Sequence, residues 1–578
     1  MAKIELSSEM RILLAFALSF GILLLSRPLL VREPAPAESP APKTTETAPP
    51  PASESSVPSE SSTPPVPAEP TQGAAEEEIV IEGDLYRVVF STRGAVVKSW
   101  TIERYQDEQG NALELVNPEA AARYGNPLSF WMAEEAPRQE VNRALFVPSA
   151  TGTLKAPVTL QFEYSSGRMA ARKQFTFSPD SYVVEVATDV TRDGEPVAHQ
   201  LAWRGGFGDI HDAGSRGPQW DVFHRGPQDM VRVRPQDVEG ESSTASGPFA
   251  FAGIEDHFFA AAFLPPQAEP SAASFGEIPL RVIAFREEIA HPSRPETKMP
   301  TVGVAVGSGD SPRNRLRLYV GPKQSDILAA VEPRLAELVN YGWFSFIAKP
   351  LFVALRWTHD NVVGNYGWAI MVLTIAINMA LFPLKLSSLR SAMKMQQLAP
   401  QLRAIQDKYK QFKLKDPRRN QMSQETMELY KKHGVNPIGG CLPMLLQIPF
   451  FVGFYNVLLS SIEMRHAVWI GWWVRDLSAP ESFYIKALPL LMCGTQFVLQ
   501  KMSPTPSPDP TQQKIMLFMP VMFLVFFWSM SSGLVLYWLT SNVIGIAQQW
   551  YINRTEMKHL VEEKRAAAAK KKRALGKK

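Results

Sequence analysis

His433-Gly434-Val435-Asn436-Pro437-Ile438-Gly439-Gly440-Cys441-Leu442-Pro443-Met444-Leu445-Leu446-Gln447-Ile448-Pro449 joins a strongly basic loop to an apolar run of membrane length. Asn436-Pro437 stops the preceding amphipathic helix, because the residue before a proline is driven out of the α region. Gly439-Gly440 supplies a flexible joint. Pro443 and Pro449 then fall inside a spanning helix, where each frees a backbone carbonyl, and Gln447 between them is costly in lipid unless something polar faces it. A helix that merely anchored a domain would need none of these features.

Working outward, apolar and charge-poor runs recur at 366–384, 438–460, 484–500, 515–530 and 534–552, each predicted as a transmembrane helix. Between Lys385 and Lys432 (within the segment 385–437) twelve Lys/Arg stand against four Asp/Glu, and from Arg554 to the end (in the tail 553–578) ten stand against three. Such an excess places both segments in the cytoplasm. The loop Ser461–Phe483 has no basic excess and suits the opposite side. An earlier apolar run, Ile12–Leu25, brings the total to six spans with both termini inside. Lys514 and Arg554 enclose 39 uncharged residues with a turn at Ser531-Ser532-Gly533. At 1.5 Å per residue these give only about 58 Å for two crossings of a roughly 30 Å core, which implies short helices and a locally thinned bilayer.

The N-terminal half has a different character. Residues 1–31 read as an uncleaved signal anchor in preference to a cleavable signal peptide, since the cleavage-like Ala35-Pro36-Ala37 carries an unfavourable proline. Residues 32–75 are rich in Pro, Ser, Ala, Thr and Glu and are expected to form a disordered tether. Over 76–335 the pattern becomes period-two, as in Ile79-Val80-Ile81, Tyr86-Arg87-Val88-Val89-Phe90, 158–164 and 182–186, which predicts a many-stranded β-sandwich on the outer side. That domain holds neither of the two cysteines, Cys441 and Cys493, so its stability must come from packing. Segment 338–357, with Trp343, Phe346, Phe352 and Trp357 among Lys349 and Arg356, reads as an amphipathic helix lying flat on the outer surface; a seventh span is the competing reading.

No metal-ligand cluster, Walker motif or dinucleotide fingerprint occurs, and Gly205-Gly206-Phe207-Gly208 opens no predicted helix, so a loop is expected there. Nothing argues for an enzyme, a cofactor or a small-molecule substrate. The polar residues inside the spans are more telling. Thr374 and Asn378 share a helical face that Lys385 continues; Gln447, Gln496 and Gln500 lie in the next two spans; Tyr537, Ser541 and Gln548 share a face of the last, with Asn542 beside it. Singly they can be interhelical hydrogen bonds, but together they suggest a hydrated groove. Met516, Met519, Phe523, Phe526 and Met530 form a soft apolar stripe, either a shape-adapting binding surface or ordinary core. The basic, methionine-bearing segment 385–437 is predicted as a helical hairpin that either meets polypeptide, headgroups or RNA, or is merely solvated.

Phe382-Pro383-Leu384, Met393-Lys394-Met395-Gln396, the Asn436–Pro449 run, Gln500-Lys501-Met502-Ser503-Pro504, Gln512-Gln513-Lys514-Ile515-Met516 and Ser532-Gly533-Leu534-Val535-Leu536-Tyr537 resemble the corresponding motifs of YidC-type membrane protein insertases, as does Ser91-Thr92-Arg93-Gly94. The resemblance covers nearly the whole chain. It implies a polytopic α-helical membrane domain with a periplasmic β-supersandwich of the Gram-negative type, set in the cell inner membrane. It also implies nascent membrane proteins as clients, and as partners the Sec translocon with its SecD/SecF-type subunits, the ribosome and the phospholipid bilayer. Thr374, Asn378, Gln447, Gln500, Tyr537, Ser541 and Asn542 would then line the substrate groove, and the Met/Phe stripe would be the slide for the apolar helix. Many members of that family carry an arginine where this sequence has Asn378, which is polar and can organise water but provides no charge; attraction of acidic client tails would then require Lys385 or another basic residue nearby. The alternatives are a secondary transporter or channel, which would need an ionisable coupling site or inverted repeats, and an envelope scaffold or carbohydrate-binding β domain on an anchor.

Overall fold

The structure, a computed structural model, describes residues 69–575 except 108–109, 210–218, 267–278, 292–293, 310, 411, 413–415, 417, 435–441 and 504–509. The predicted N-terminal anchor, most of the tether and the Asn436–Gly440 joint therefore lie outside the described residues. The chain divides between Leu338 and Val339 into two compact units.

In the first unit the alternating sequences become strands: Glu78–Glu82, Tyr86–Ser91, Val158–Ser165 and Val183–Arg192. Three sheets form among the described residues. A ten-stranded sheet has Val183–Arg192 near its centre, antiparallel to Met169–Phe177 on one side and Arg313–Pro322 on the other. One five-stranded sheet is built on Tyr86–Ser91 against Val96–Gln106, and the other on the long hairpin Leu280–His291/Arg294–Gly307. Aromatic side chains fill the core, with Phe90 4.9 Å from Phe175 and Trp100 6.1 Å from Trp203 between ring centroids. Gly205, Gly206 and Gly208 lie in a loop at positive φ, and at Gly208 a Cβ would sit 1.8 Å from the Asp256 carboxylate. Three short helices complete the unit: α1 (Pro118–Tyr124), α2 (Glu135–Arg143) and α3 (Ser325–Val331).

With no disulfide available, buried polar clasps tie distant strands together. Lys173 is fully buried and donates to the carbonyls of Gly94 (2.9 Å), Ala95 (3.0 Å) and Leu128 (2.6 Å), with the Phe130 ring 4.2 Å from its nitrogen. Burial drives its pKa well down, but three acceptors call for the three donors that only the ammonium carries. His199, also buried, lies 2.9 Å through Nδ1 from the Val197 carbonyl and 2.8 Å through Nε2 from the Thr188 hydroxyl, while Asn314 Nδ2 donates to that hydroxyl and to the His199 carbonyl. These roles fit a neutral imidazole with its proton on Nδ1.

The second unit is helical: α4 (Ser345–Thr358), α5 (Tyr366–Ala380), α6 (Phe382–Tyr409), α7 (Arg418–Lys432), α8 (Leu442–Ser460), α9 (Ala487–Met502), α10 (Pro510–Phe527) and α11 (Ser532–Leu575). Among the described residues no single helix is long and apolar enough to cross a membrane. Ser345–Val363 and Tyr366–Ala380 satisfy length and composition only as a pair, bent by 113°. A π turn at His359–Val363, ended by Gly364 at φ 60°, makes the bend, and Asn365 caps α5 by accepting from the Gly367 and Trp368 amides. The run predicted as 366–384 is broken at Leu381, because Pro383 has no amide to continue the ladder; the chain re-enters helix at once and α6 carries it on to Tyr409. The 534–552 run likewise sits inside a longer helix, α11, that extends to Leu575. Helices α6 and α7 form a self-packed hairpin, with Met395, Leu398 and Leu402 buried against Leu429 and Tyr430, and Glu425 bonded to Lys408 and Tyr409.

Burial lowers the His199 pKa from 6.5 to about 4. An unfolded chain would take up that proton near pH 6.5 and the folded one near pH 4, so the stability due to neutral His199 is present above pH 6.5. It is lost as pH falls through that window, by about 3 kcal/mol in all. Pulse proteolysis of the full-length protein in urea is expected to give a lower β-unit midpoint at pH 5 than at pH 7, with the difference reduced in His199→Asn. An equal pH dependence in the variant would assign the effect to other groups.

Candidate functional site

Asn378 stands at a crossing of three helices. Its Nδ2 donates to the Thr374 carbonyl one turn back on α5 (2.8 Å) and to Ser541 Oγ on α11 (3.3 Å). Its Oδ1 accepts from Lys385 Nζ on α6 (2.6 Å), and its carbonyl accepts from Gln548 Nε2 on α11 (3.2 Å). Thr374 turns its hydroxyl back onto the Ile370 carbonyl, and both Thr374 and Asn378 are buried. One turn before Ser541, Tyr537 accepts from Gln447 Nε2 of α8 at 2.8 Å and stacks on Phe454. Thr374, Asn378, Gln447, Tyr537 and Ser541 are thereby drawn into one polar set along a face of α11, with Lys385 at one end.

Gln500 and Asn542 belong elsewhere. Asn542 donates to the Met492 carbonyl (3.2 Å) and Thr495 Oγ1 (3.3 Å), and Gln496 accepts from the Trp538 indole, so these residues join α9 to α11. Gln500 Nε2 donates to the Met516 carbonyl of α10 at 2.6 Å. That carbonyl is the one Pro520, four residues on, leaves without a helical donor. Gln500 thus repairs a break in a neighbouring helix, as an apolar environment requires.

The stripe Met516, Met519, Phe523 and Phe526 is half-buried and Met530 is buried. Phe523 packs on the Trp538 ring at 5.7 Å, beside Phe451 and Phe527. The exposed apolar face of α10 is a different one, formed by Leu517, Phe518, Val521 and Val525.

Sequence reasoning missed Glu481. Its buried carboxylate accepts from the Ala487 and Leu488 amides at the start of α9 and from the Trp473 indole. An acidic residue just ahead of an apolar run was the available signal. Among the described residues no group of three His, Cys, Asp or Glu is placed to hold a metal.

Residues 357–559 match the family described as 60Kd inner membrane protein, and residues 78–354 match the YidC periplasmic domain. The membrane protein insertase YidC of Ralstonia nicotianae is 36% identical over 514 residues, covering 86% of each chain. That of Geobacter sp. strain M21 is 33% identical over 494 residues, covering 83% of this chain and 86% of its own. The chain belongs to the YidC membrane protein insertase family. A YidC insertase crystal structure with the first transmembrane domain resolved is 19% identical, with a TM-score of 0.34, over 84% of this chain and 95% of its own. As a YidC-family protein it pairs a β-rich periplasmic domain with a helical C-terminal region, and inner-membrane localisation is the family's.

The Gln500 repair yields a double-mutant test. Gln500→Leu should destabilise the helical unit by about 1–2 kcal/mol, the cost of an unsatisfied carbonyl. In a Pro520→Ala background the backbone donor returns, and the same change should cost less than half as much. Reversible unfolding of the four proteins in mixed micelles measures the coupling; equal costs in both backgrounds would disprove the repair.

Proposed function

We propose that this chain inserts and helps fold integral inner-membrane proteins, and that the polar set along α11 receives the hydrophilic segment of a client part-way across the bilayer. The observation that carries this reading is the Lys385 ammonium on the Asn378 amide, 2.6 Å apart. It brings a positive charge, two turns along the chain from position 378, to a residue that is itself uncharged.

Magnitudes favour the idea. A lone charge at the bilayer centre costs about 2.5–3.5 kcal/mol on insertion scales. A client carboxylate about 4 Å from the Lys385 ammonium would gain about 4 kcal/mol at an effective dielectric of 20, enough to offset that cost. The membrane potential adds an outward pull on an acidic residue of about 2.3 kcal/mol per charge per 100 mV. The apolar helix would then leave past Met516, Met519 and Phe523 towards lipid. No bond is made or broken, so the residues need only bind, hydrate and release.

In this reading the helical unit supplies spans two to six, both termini and the α6–α7 hairpin are cytoplasmic, and the β unit is periplasmic. The Sec translocon with SecD/SecF-type subunits and the ribosome are the expected partners of that arrangement, the ribosome by way of the basic hairpin and tail. A secondary transporter would need an ionisable coupling pair; the partner of Lys385 here is an amide.

Reconstituted full-length protein and single-span clients with acidic, neutral or basic translocated tails test the proposal. Lys385→Met should slow acidic tails by about tenfold or more, since each 1.36 kcal/mol of barrier is a factor of ten, and leave neutral tails near wild-type rates. Lys385→Arg should retain activity. Asn378→Leu should slow all charged tails by closing the polar path. Equal rates for the three tail types in Lys385→Met would remove Lys385 from the mechanism.

A further inference from the structure

At one end of the helical unit several helix termini gather: α8 ends at Ser460 and α10 at Phe527, while α5, α9 and α11 begin at Tyr366, Ala487 and Ser532. The segment 461–486 covers that end and is pinned to it throughout. The Ser532 and Gly533 amides donate to the Ala479 and Leu477 carbonyls at 2.8 and 2.9 Å. Asn365 Nδ2 donates to the Val468 carbonyl at 2.8 Å, and Lys486 Nζ to the Trp528 carbonyl at 2.7 Å. Gly367 leaves no room for a side chain, since a Cβ there would lie 2.2 Å from the Trp469 ring. The buried Glu481 carboxylate closes the segment onto the start of α9.

A loop held this firmly has every means to hide its large side chains, yet it presents them outward. Trp472 is 73% exposed and Tyr484 97%, with Phe483 and Ile485 exposed beside the latter. Trp472 is backed by the stack Trp473–Trp469–Trp368, so the display is rigid. The Phe483–Ile485 face continues along α9 through exposed Leu490 and Leu491. Arg475, exposed near Trp472 in the chain, donates its Nε to the Gly471 carbonyl.

We infer that segment 461–486 is a preformed anchor in the headgroup region of the bilayer face opposite the α6–α7 hairpin, with Trp472 and Phe483–Ile485 inserted among phospholipids. Two features select lipid over a protein partner. The patch is continuous with the apolar flank of a helix that enters the bilayer, and five of the thirteen tryptophans, Trp368, Trp469, Trp472, Trp473 and Trp528, collect at this one end. Amphipathic rings settle at the headgroup level, where arginine meets phosphate. Because five helix termini hang on the same segment, the anchor sets their depth together. The inference rests on the multi-span reading of the helical unit.

Nitroxide accessibility tests it in full-length protein with Cys441→Ser and Cys493→Ser, reconstituted into phosphatidylethanolamine/phosphatidylglycerol vesicles. Labels at Trp472→Cys and Tyr484→Cys are compared with Leu491→Cys on α9 and Glu195→Cys on the β unit. The expected result is strong collision with oxygen and several-fold weaker collision with a nickel chelate at 472 and 484 than at 195. If 472 and 484 match 195 while 491 is lipid-exposed, the anchor is disproved and the multi-span reading stands. If 491 also meets the nickel chelate freely, the multi-span reading fails and the anchor with it. Shielding of 472 and 484 from both reagents would show a protein covering the patch, and would overturn the lipid assignment.

Discussion

A carbonyl or amide that loses its partner away from water must find another, and the helical unit meets that constraint with side chains. Prolines lie inside α4, α6, α8 and α10, where each removes a donor from a helix, and Pro383 stands in the first turn of α6. Amide and carboxylate side chains complete the hydrogen bonding at several such places. Gln500 serves the carbonyl orphaned by Pro520, and Gln548 serves the Asn378 carbonyl at the last turn of α5. The amides at the start of α9 are taken by Glu481. The polar residues of the interior thus serve different ends: Gln500 restores a broken helix, Asn542 and Gln496 join α9 to α11, and the bonds of the Asn378–Lys385–Ser541 group restore none of the proline breaks.

That division gives the amide-rich interior a mechanical meaning. A helix interrupted by proline and mended by a neighbour's side chain, as α10 is by Gln500, shifts at lower cost than an uninterrupted one, since a side-chain donor can follow its acceptor where a ladder cannot. A protein that must open for many different client helices benefits from such joints. The β unit solves the opposite problem. It has no cysteine, and it fixes its sheets to one another with a buried ammonium on three carbonyls and a neutral histidine on a threonine and a carbonyl.

Much of this was legible in the sequence. Alternation marked the strands around Val80, Val88, Leu160 and Val184, because one face of each is buried, and the four-residue spacing of Thr374 and Asn378 put them on one helical face. The approach of Lys385 to Asn378 followed from helical continuation across Leu381, despite the proline that breaks the ladder there. The task of Gln500 was not legible, because its acceptor lies on another helix and is defined by a proline four residues beyond. Nor was the placement of segment 461–486, which is rich in aromatic residues but whose hydrogen bonds run to helix ends far apart in sequence.

The clearance at Gly367 has an evolutionary consequence. The indole of Trp469 occupies the space that any side chain at 367 would need, and that indole in turn rests on Trp368 and Trp473. Neither partner can drift alone: a larger residue at 367 demands a smaller one at 469, which in turn unseats two further tryptophans. Positions 367, 368, 469 and 473 should therefore change as a block among relatives of this protein, or not at all.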